Sequence, residues 1–160
     1  MPQYPVAPSH SIVMGTPSGI IYMEFEAATS SAILPGDLVQ FNNPPADCKI
    51  KEGAVDSEQI IGVADIFYSD PAGGGSDRTS AYLAGYQVLV FRGSVLCMLR
   101  IATSQSIQCG EFVQAAASGE VKAYVCGTDN DCQRVAQALE SVAQDTTQFQ
   151  WGMFALERFG

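Results

Sequence analysis

Ile33-Leu-Pro-Gly-Asp-Leu-Val-Gln40 and Ile107-Gln-Cys-Gly-Glu-Phe-Val-Gln114 are two copies of one pattern, I-x-x-G-[DE]-[LF]-V-Q, set 74 residues apart (107 − 33). The pattern has a physical reading. An apolar anchor enters a turn, glycine takes a backbone conformation other residues resist, the acid caps the turn, and an alternating strand follows. Met twice in 160 residues, it predicts two similar β units folded against each other. Val63-Ala64 and Val135-Ala136 continue the correspondence at an offset of 72 (135 − 63), so residues 135–139 read as a strand matching residues 61–66. Taken alone, residues 131–142 make a fair helix by propensity, with Val135, Leu139 and Val142 at spacings of four and three. Their alternation suits a strand equally, and the repeat favours the strand.

Outward from the repeat, the periodicity is that of strands nearly everywhere. Gly19-Ile-Ile-Tyr-Met-Glu-Phe25 is rich in β-branched and aromatic residues, and Leu38-Val-Gln-Phe41 follows the turn Pro35-Gly36-Asp37. Residues 60–68 form a long apolar run that ends at Ser69-Asp70-Pro71. Tyr86-Gln-Val-Leu-Val-Phe91 and Ser94-Val-Leu-Cys-Met-Leu99 flank Arg92-Gly93, which reads as a tight hairpin. Residues 111–115 and 121–125 are joined through Ala-Ala-Ser-Gly, and the last strand candidate covers residues 151–159. Short strands with Gly, Pro and Asn at the turns predict an all-β fold, a small barrel or sandwich built from two weakly similar β units.

Residues 19–160 are thus expected to form a single β-barrel or sandwich domain, interrupted by a flexible loop at residues 70–80 (DPAGGGSDRTS). Residues 1–18 carry Pro2, Pro5, Pro8 and Pro17, a composition that favours an extended N-terminal arm with few ladder bonds. A Pro-rich terminus of this kind is tied down by lying on its own domain or on a neighbour.

Composition narrows the function. Eight Lys+Arg against 17 Asp+Glu give a net charge of −9, and the basic residues are scattered, Lys49 and Lys51 being the nearest to a cluster. Nucleic-acid backbones are bound by Lys and Arg that displace counterions, so nucleic acid is not an expected partner. No apolar run approaches the ~18 residues of a membrane span, so no membrane partner is expected. The start MPQYPVAPSHS lacks the basic and apolar regions of a signal peptide. Five cysteines (Cys48, Cys97, Cys109, Cys126, Cys132) without a C-x-x-C pair predict a product of a reducing cytoplasm, its thiols used mainly as small buried apolar groups. Cys126 and Cys132 flank a turn and could bridge.

Chemistry-bearing constellations are sparse. His10 is the single histidine and lies in the Pro-rich arm, without the orienting third group that general-base chemistry uses. Isolated thiols do not make a zinc site. Asp129-Asn-Asp131 resembles the start of a calcium loop but lacks the later Gly and terminal Glu, so it reads as a polar hairpin tip. Gly73-Gly74-Gly75 lies between Asp70 and Asp77, the wrong local charge for a phosphate cradle. Glu24 and Glu26 share one strand face and read as solvated carboxylates. Tyr22, Phe25, Phe67, Tyr68, Phe91, Phe149, Trp151, Phe154 and Phe159 occupy strand positions and read as core or interface. No nucleophile, base and orienter can be named together, so no enzyme, cofactor or metal is expected.

The order of features resembles a known group. I-x-x-G-D-x-V, Ile61-Gly62-Val63-Ala64, a Gly-rich excursion, residues 88–95 around Gly93, the second I-x-x-G-[DE]-x-V and Val135-Ala136-Gln-Ala-Leu139 are similar to capsid decoration (cement) proteins of tailed double-stranded DNA viruses. These are the small β-barrel family encoded beside major capsid genes. The resemblance covers roughly residues 19–142. The chain departs from it at Arg134, where a Gly would precede Val135-Ala136, and in its longer Pro-rich arm. The resemblance implies a structural bacteriophage protein, made in the host cytoplasm, on the outer surface of an HK97-type virion shell. Its implied partners are the major capsid protein and itself, usually as a homotrimer, with capsid stabilisation as its role. The arm then carries the expected partner-binding residues Pro2, Tyr4, Pro5, Val6, Pro8, His10 and Ile12, since an extended segment adds to a neighbour through main-chain hydrogen bonds.

The alternative is a β-barrel binding module for carbohydrate or a host surface. Its mark would be an exposed aromatic cluster of Tyr68, Tyr82 and Tyr86 around the Gly-rich loop.

Overall fold

The computed structural model of the chain describes residues 21–29, 31–42, 47–66, 73–77, 79–93, 96–143 and 150–156. The fold is all-β, as the alternation predicted. In chain order the strands are β1 (Ile21–Glu26), β2 (Leu38–Phe41), β3 (Ile50–Glu52), β4 (Ile60–Ala64) and β5 (Gln87–Arg92), then β6 (Leu96–Ile101), β7 (Phe112–Ala115), β8 (Val121–Ala123), β9 (Arg134–Ala138) and β10 (Gln150–Leu156). The first five form one sheet, in the order β1-β5-β4-β2-β3, and the last five a closed barrel, β6-β10-β9-β7-β8.

The two orders are one topology used twice. The barrel closes through a parallel bridge from Ile101 to Val121, and a parallel bridge from Ala27 to Ile50 joins the outer strands of the first sheet at the same place. Even the irregularities recur: the β2–β4 ladder shifts register between Val39 and Gln40, and β7–β9 between Val113 and Gln114. The repeated turns work as the sequence predicts. Gly36 and Gly110 hold φ of 96° and 90°, which glycine adopts without a Cβ penalty. The acid caps each turn: Leu34 N–H donates to Asp37 Oδ2 and Gln108 N–H to Glu111 Oε2, both at 2.8 Å.

Three expectations are corrected by the pairing. The offset between β4 and β9 is 74, not 72, because Gly36 N–H donates to Ala64 O and Gly110 N–H to Ala138 O. Ala64 therefore matches Ala138 (138 − 64), and the shared Val-Ala dipeptides are a coincidence of composition. Second, Arg92-Gly93 is not a hairpin turn. β5 pairs with β1 and β4 while β6 pairs with β10 and β8, so the chain leaves one unit and enters the other there, with Gly93 at φ 120°. Apolar strands either side of a Gly look alike whether they pair with each other or with different sheets. Third, only Cys97 of the five thiols is buried; Cys48, Cys109, Cys126 and Cys132 lie exposed between strands, and Cys126 and Cys132 are free thiols rather than a bridge. Residues 134–138 are the strand that the repeat favoured, since β7 and β10 supply ladders on both sides that outweigh local helix propensity.

Strand alternation sends side chains to two places. Val39, Ala64, Val88 and Val90 point into the first unit and pack with Ile33, Ile50 and Tyr82. Leu38, Ile60, Val63 and Phe91 point the other way, out of their own sheet, and join the core of the second unit with Met98, Leu99, Ile101, Val113 and Phe154. One apolar cluster thus crosses the junction. At about 25 cal/mol per Å² of apolar area, fully burying each such side chain contributes roughly 1.5–3 kcal/mol.

Candidate interaction surfaces

The seam between the units is polar at its margin and apolar at its centre. Arg100 stands in the otherwise apolar β6 and projects towards the first unit, where its Nη2 lies 2.7 Å from Asp37 Oδ1. The same Nη2 donates to Ser118 O at 2.8 Å, and Nε lies 3.8 Å from Glu120 Oε1. Burial pushes the Asp37 carboxyl up to about 7, while Arg100 and the Leu34 N–H pull it down and Glu52 and Glu120 push it further up. Burial likewise raises Glu120, against the pull of Arg100. Around this pair the units clasp each other: Asp56 N–H donates to Ala115 O, Gly119 N–H to Gly53 O, Lys122 lies 2.6 Å from Asp56 Oδ1, and Asn130 Nδ2 donates to Glu58 Oε1. Sequence reasoning took Asp37 as a turn cap only and missed its partner. The signal was an arginine inside Leu96-Cys-Met-Leu-Arg-Ile101, where an unpaired charge could not be buried.

The expected site residues distribute unevenly. Pro2, Tyr4, Pro5, Val6, Pro8, His10 and Ile12 lie outside the described residues, as does the arm to which they belong. The aromatic platform loses its middle member. Tyr82 is 2% exposed, lies within contact of Gly75, and donates its hydroxyl to Asp65 O, while burial raises its pKa. Tyr86 is 38% exposed, and Tyr68 lies outside the described residues. The residues of the Gly-rich loop that are described pack on the domain: Gly73 is buried against Tyr86, and Gly75 N–H donates to Ser80 O.

Asp129 and Asp131 are held by protein donors. Asp129 Oδ2 accepts from Gln114 Nε2 and Val125 N–H, both at 2.7 Å, and Asp131 Oδ1 accepts from the Tyr124 hydroxyl, which is raised to about 12 as a result. The segment is polar as expected but it is not a hairpin tip, since β8 and β9 each pair with β7 and not with each other. Among the described residues no group of three or more His, Cys, Asp or Glu side chains could hold a metal.

Two outer faces remain. On β1 the alternation puts Tyr22, Glu24 and Glu26 on one side, Tyr22 being 48% exposed and Glu26 lying 2.7 Å from Lys49 Nζ. On the second unit Phe112, Arg134 and Gln137 are half-buried on the outside of β7 and β9, with the Arg134 guanidinium 4.2 Å above the Phe112 ring.

No protein-family model matches the chain, and no curated protein matches its sequence. A solved structure does match: the head fiber gp8.5 N base of bacteriophage phi29, at a TM-score of 0.53 and 14% identity, over 87% of this chain and 97% of that one. The likeness is one of fold. It spans both units, so the doubled β architecture is shared and not only one barrel.

Proposed function

We propose that the chain is a structural protein of a bacteriophage virion, carried on the outer surface of the head. On this reading it binds the major capsid protein of an HK97-type shell, acts as a homotrimer, stabilises the shell and performs no catalysis. The observation that supports it most is the fold shared with the phi29 head fiber base across nearly the whole of both chains. The repeated I-x-x-G-[DE]-x-V motif, which resembles decoration proteins, points the same way independently. An acidic surface of net charge −9 suits a protein assembled beside a genome it must not capture.

The test is direct. Antibody raised against the purified chain should decorate the heads of intact virions of the encoding phage, seen by negative-stain microscopy with gold. Unlabelled heads on virions shown by mass spectrometry to lack the chain would overturn the proposal. Removal of residues 1–15 is expected to abolish binding to heads and to leave the circular dichroism of the domain unchanged. Full binding after that deletion would remove the arm from the reading.

A further inference from the structure

We propose that the outer edge of β1 takes up residues 9–16 of a second copy of this chain as an added antiparallel strand, so that neighbouring copies are tied together by their N-terminal arms. The inference rests on the homotrimer reading above and deepens it, naming the edge that receives the arm. The argument begins from the ladder. Among the described residues β1 pairs with β5 along its whole length on one side, and on the other meets β3 only at the Ala27–Ile50 bridge. Ala27 N–H donates to Tyr86 O on the β5 side, and Ala28 N–H to Ile50 O on the β3 side. Backbone groups alternate in direction along a strand, so Ile21, Met23 and Phe25 bond to β5. The N–H and C=O groups of Tyr22 and Glu24 then point to the outer edge, where they join no described ladder. Such a row of backbone groups is a template for an incoming strand.

The duplication shows what this edge lacks. The Ala27–Ile50 bridge matches Ile101–Val121, so Met23 and Phe25 stand where Cys97 and Leu99 stand in the second unit. Cys97 and Leu99 are fully buried, whereas Met23 and Phe25 are half-buried, and Ile21 and Tyr22 beside them are exposed. A strand laid along the edge would cover apolar surface that the second unit has already covered.

The occupant is chosen by the sequence that precedes β1. Pro8 and Pro17 lack the N–H that a ladder needs, and between them Ser9-His-Ser-Ile-Val-Met-Gly-Thr16 offers a donor at every position. Extended, this stretch puts Ile12 and Met14 on one face. Seated over Met23 and Phe25, they place Val13 opposite Glu24, in a pair that exchanges both backbone bonds. The stretch contains no Asp or Glu to repel Glu24 and Glu26, although the whole chain carries a net charge of −9. Its own β1 is the wrong acceptor. In cis the same register closes a two-residue Ser18-Gly19 turn in which Pro17 must donate to Ile20, and proline has no N–H to give. In trans the residues from Val13 to Ile21 span about 26 Å, and the arm starts beside the edge it serves, so copies around one axis can each hand an arm to the next.

Cross-linking of the full chain tests it. A photo-reactive benzophenone amino acid in place of Val13, in an equal mixture of isotopically light and heavy chains, is expected to cross-link to residues 21–26 in mixed light–heavy pairs. Cross-links confined to chains of one isotope, or to any segment other than β1, would overturn the inference. In sedimentation velocity over a dilution series, wild type is expected to assemble, and Val13→Pro to weaken assembly by roughly tenfold or more, while Gln3→Pro leaves it unchanged. Tyr22→Pro removes an N–H that faces away from β5, so it should weaken assembly as Val13→Pro does, and Val13→Pro keeps the test sound if that variant fails to fold. A wild type that is monomeric at every concentration, or a Val13→Pro variant that assembles as wild type does, would overturn the inference. Head binding separates the two proposals: chain that decorates heads without the β1 cross-link sinks this inference alone, whereas arm-linked assemblies that ignore heads sink the virion reading alone.

Discussion

At the scale of single residues the seam is held by groups that have no slack. A Cβ on Gly119, whose φ is +73°, would sit 2.6 Å from Asp37 Cβ and 2.9 Å from Leu38 O. Gly127 has a similar φ of +81° but open space around it. Gly127→Ala is therefore expected to cost about 1 kcal/mol from backbone strain alone, and Gly119→Ala about 3 kcal/mol or more from strain plus overpacking. Urea midpoints of the two variants give the comparison directly. Asp37 yields a second prediction with a definite sign. Its folded pKa is raised, so the fold binds that proton more tightly than the unfolded chain does. The contribution to stability is present below the ordinary carboxylate range and is lost as pH rises through about 7. Arg100→Met removes the counter-charge, which matters only while Asp37 is ionised. The variant should lose about 3 kcal/mol at alkaline pH and distinctly less at acidic pH, where neutral Asp37 needs no partner. Equal losses at both ends of the range, measured by urea denaturation, would show that Arg100 acts through packing and not charge.

At the scale of elements, the connection that carries the chain from β8 past β7 to β9 is anchored by one carboxylate. Asp129 accepts from the Gln114 amide and from Val125 N–H, and Gln114 is 2% exposed. Asp129→Ala removes both bonds and leaves the buried Gln114 amide only its long 3.5 Å bond to Ala123 O, so it should cost about 2 kcal/mol. Gln114→Leu keeps the volume and discards the buried amide with its unbonded Oε1, so it should cost less, about 1 kcal/mol. Amide exchange across residues 124–133 should speed up in both, and added calcium should rescue neither. Elements were also what the sequence declared best. I-x-x-G-[DE]-[LF]-V-Q specified a turn, a cap and a strand twice over, because the motif is local chemistry repeated, whereas the strand reading of β9 rests on a dipeptide match whose register is off by two residues. Pairing was less legible. Whether β5 turns back on β6 or hands the chain to another sheet depends on distant partners that leave no mark on Arg92-Gly93. The same holds for Asp37, whose turn-capping role is written in its neighbours while its ion pair depends on a residue 63 positions away (100 − 37).

At the scale of the molecule, the duplication raises the question of whether the chain unfolds as two units or one. Topology alone favours two, since each unit has its own complete set of five strands. Packing decides otherwise. Leu38, Ile60, Val63 and Phe91 are buried in the core of the second unit, and a first unit standing alone would expose all four on one face. Exposing that patch would forfeit roughly 1.5–3 kcal/mol per side chain, comparable to the whole stability of a small domain. Partial unfolding of the second unit is therefore strongly opposed. Met98 lies in the shared cluster and is 1% exposed, so Met98→Ala should cost about 3 kcal/mol. Its effect should reach both units equally: amide exchange in β4 and in β9 should accelerate by the same factor, and heat should unfold wild type and variant in a single calorimetric transition. Separate transitions, or acceleration confined to β9, would mean that the seam is a contact between two independent domains, and the shared cluster could not then be what holds the copies of the motif together.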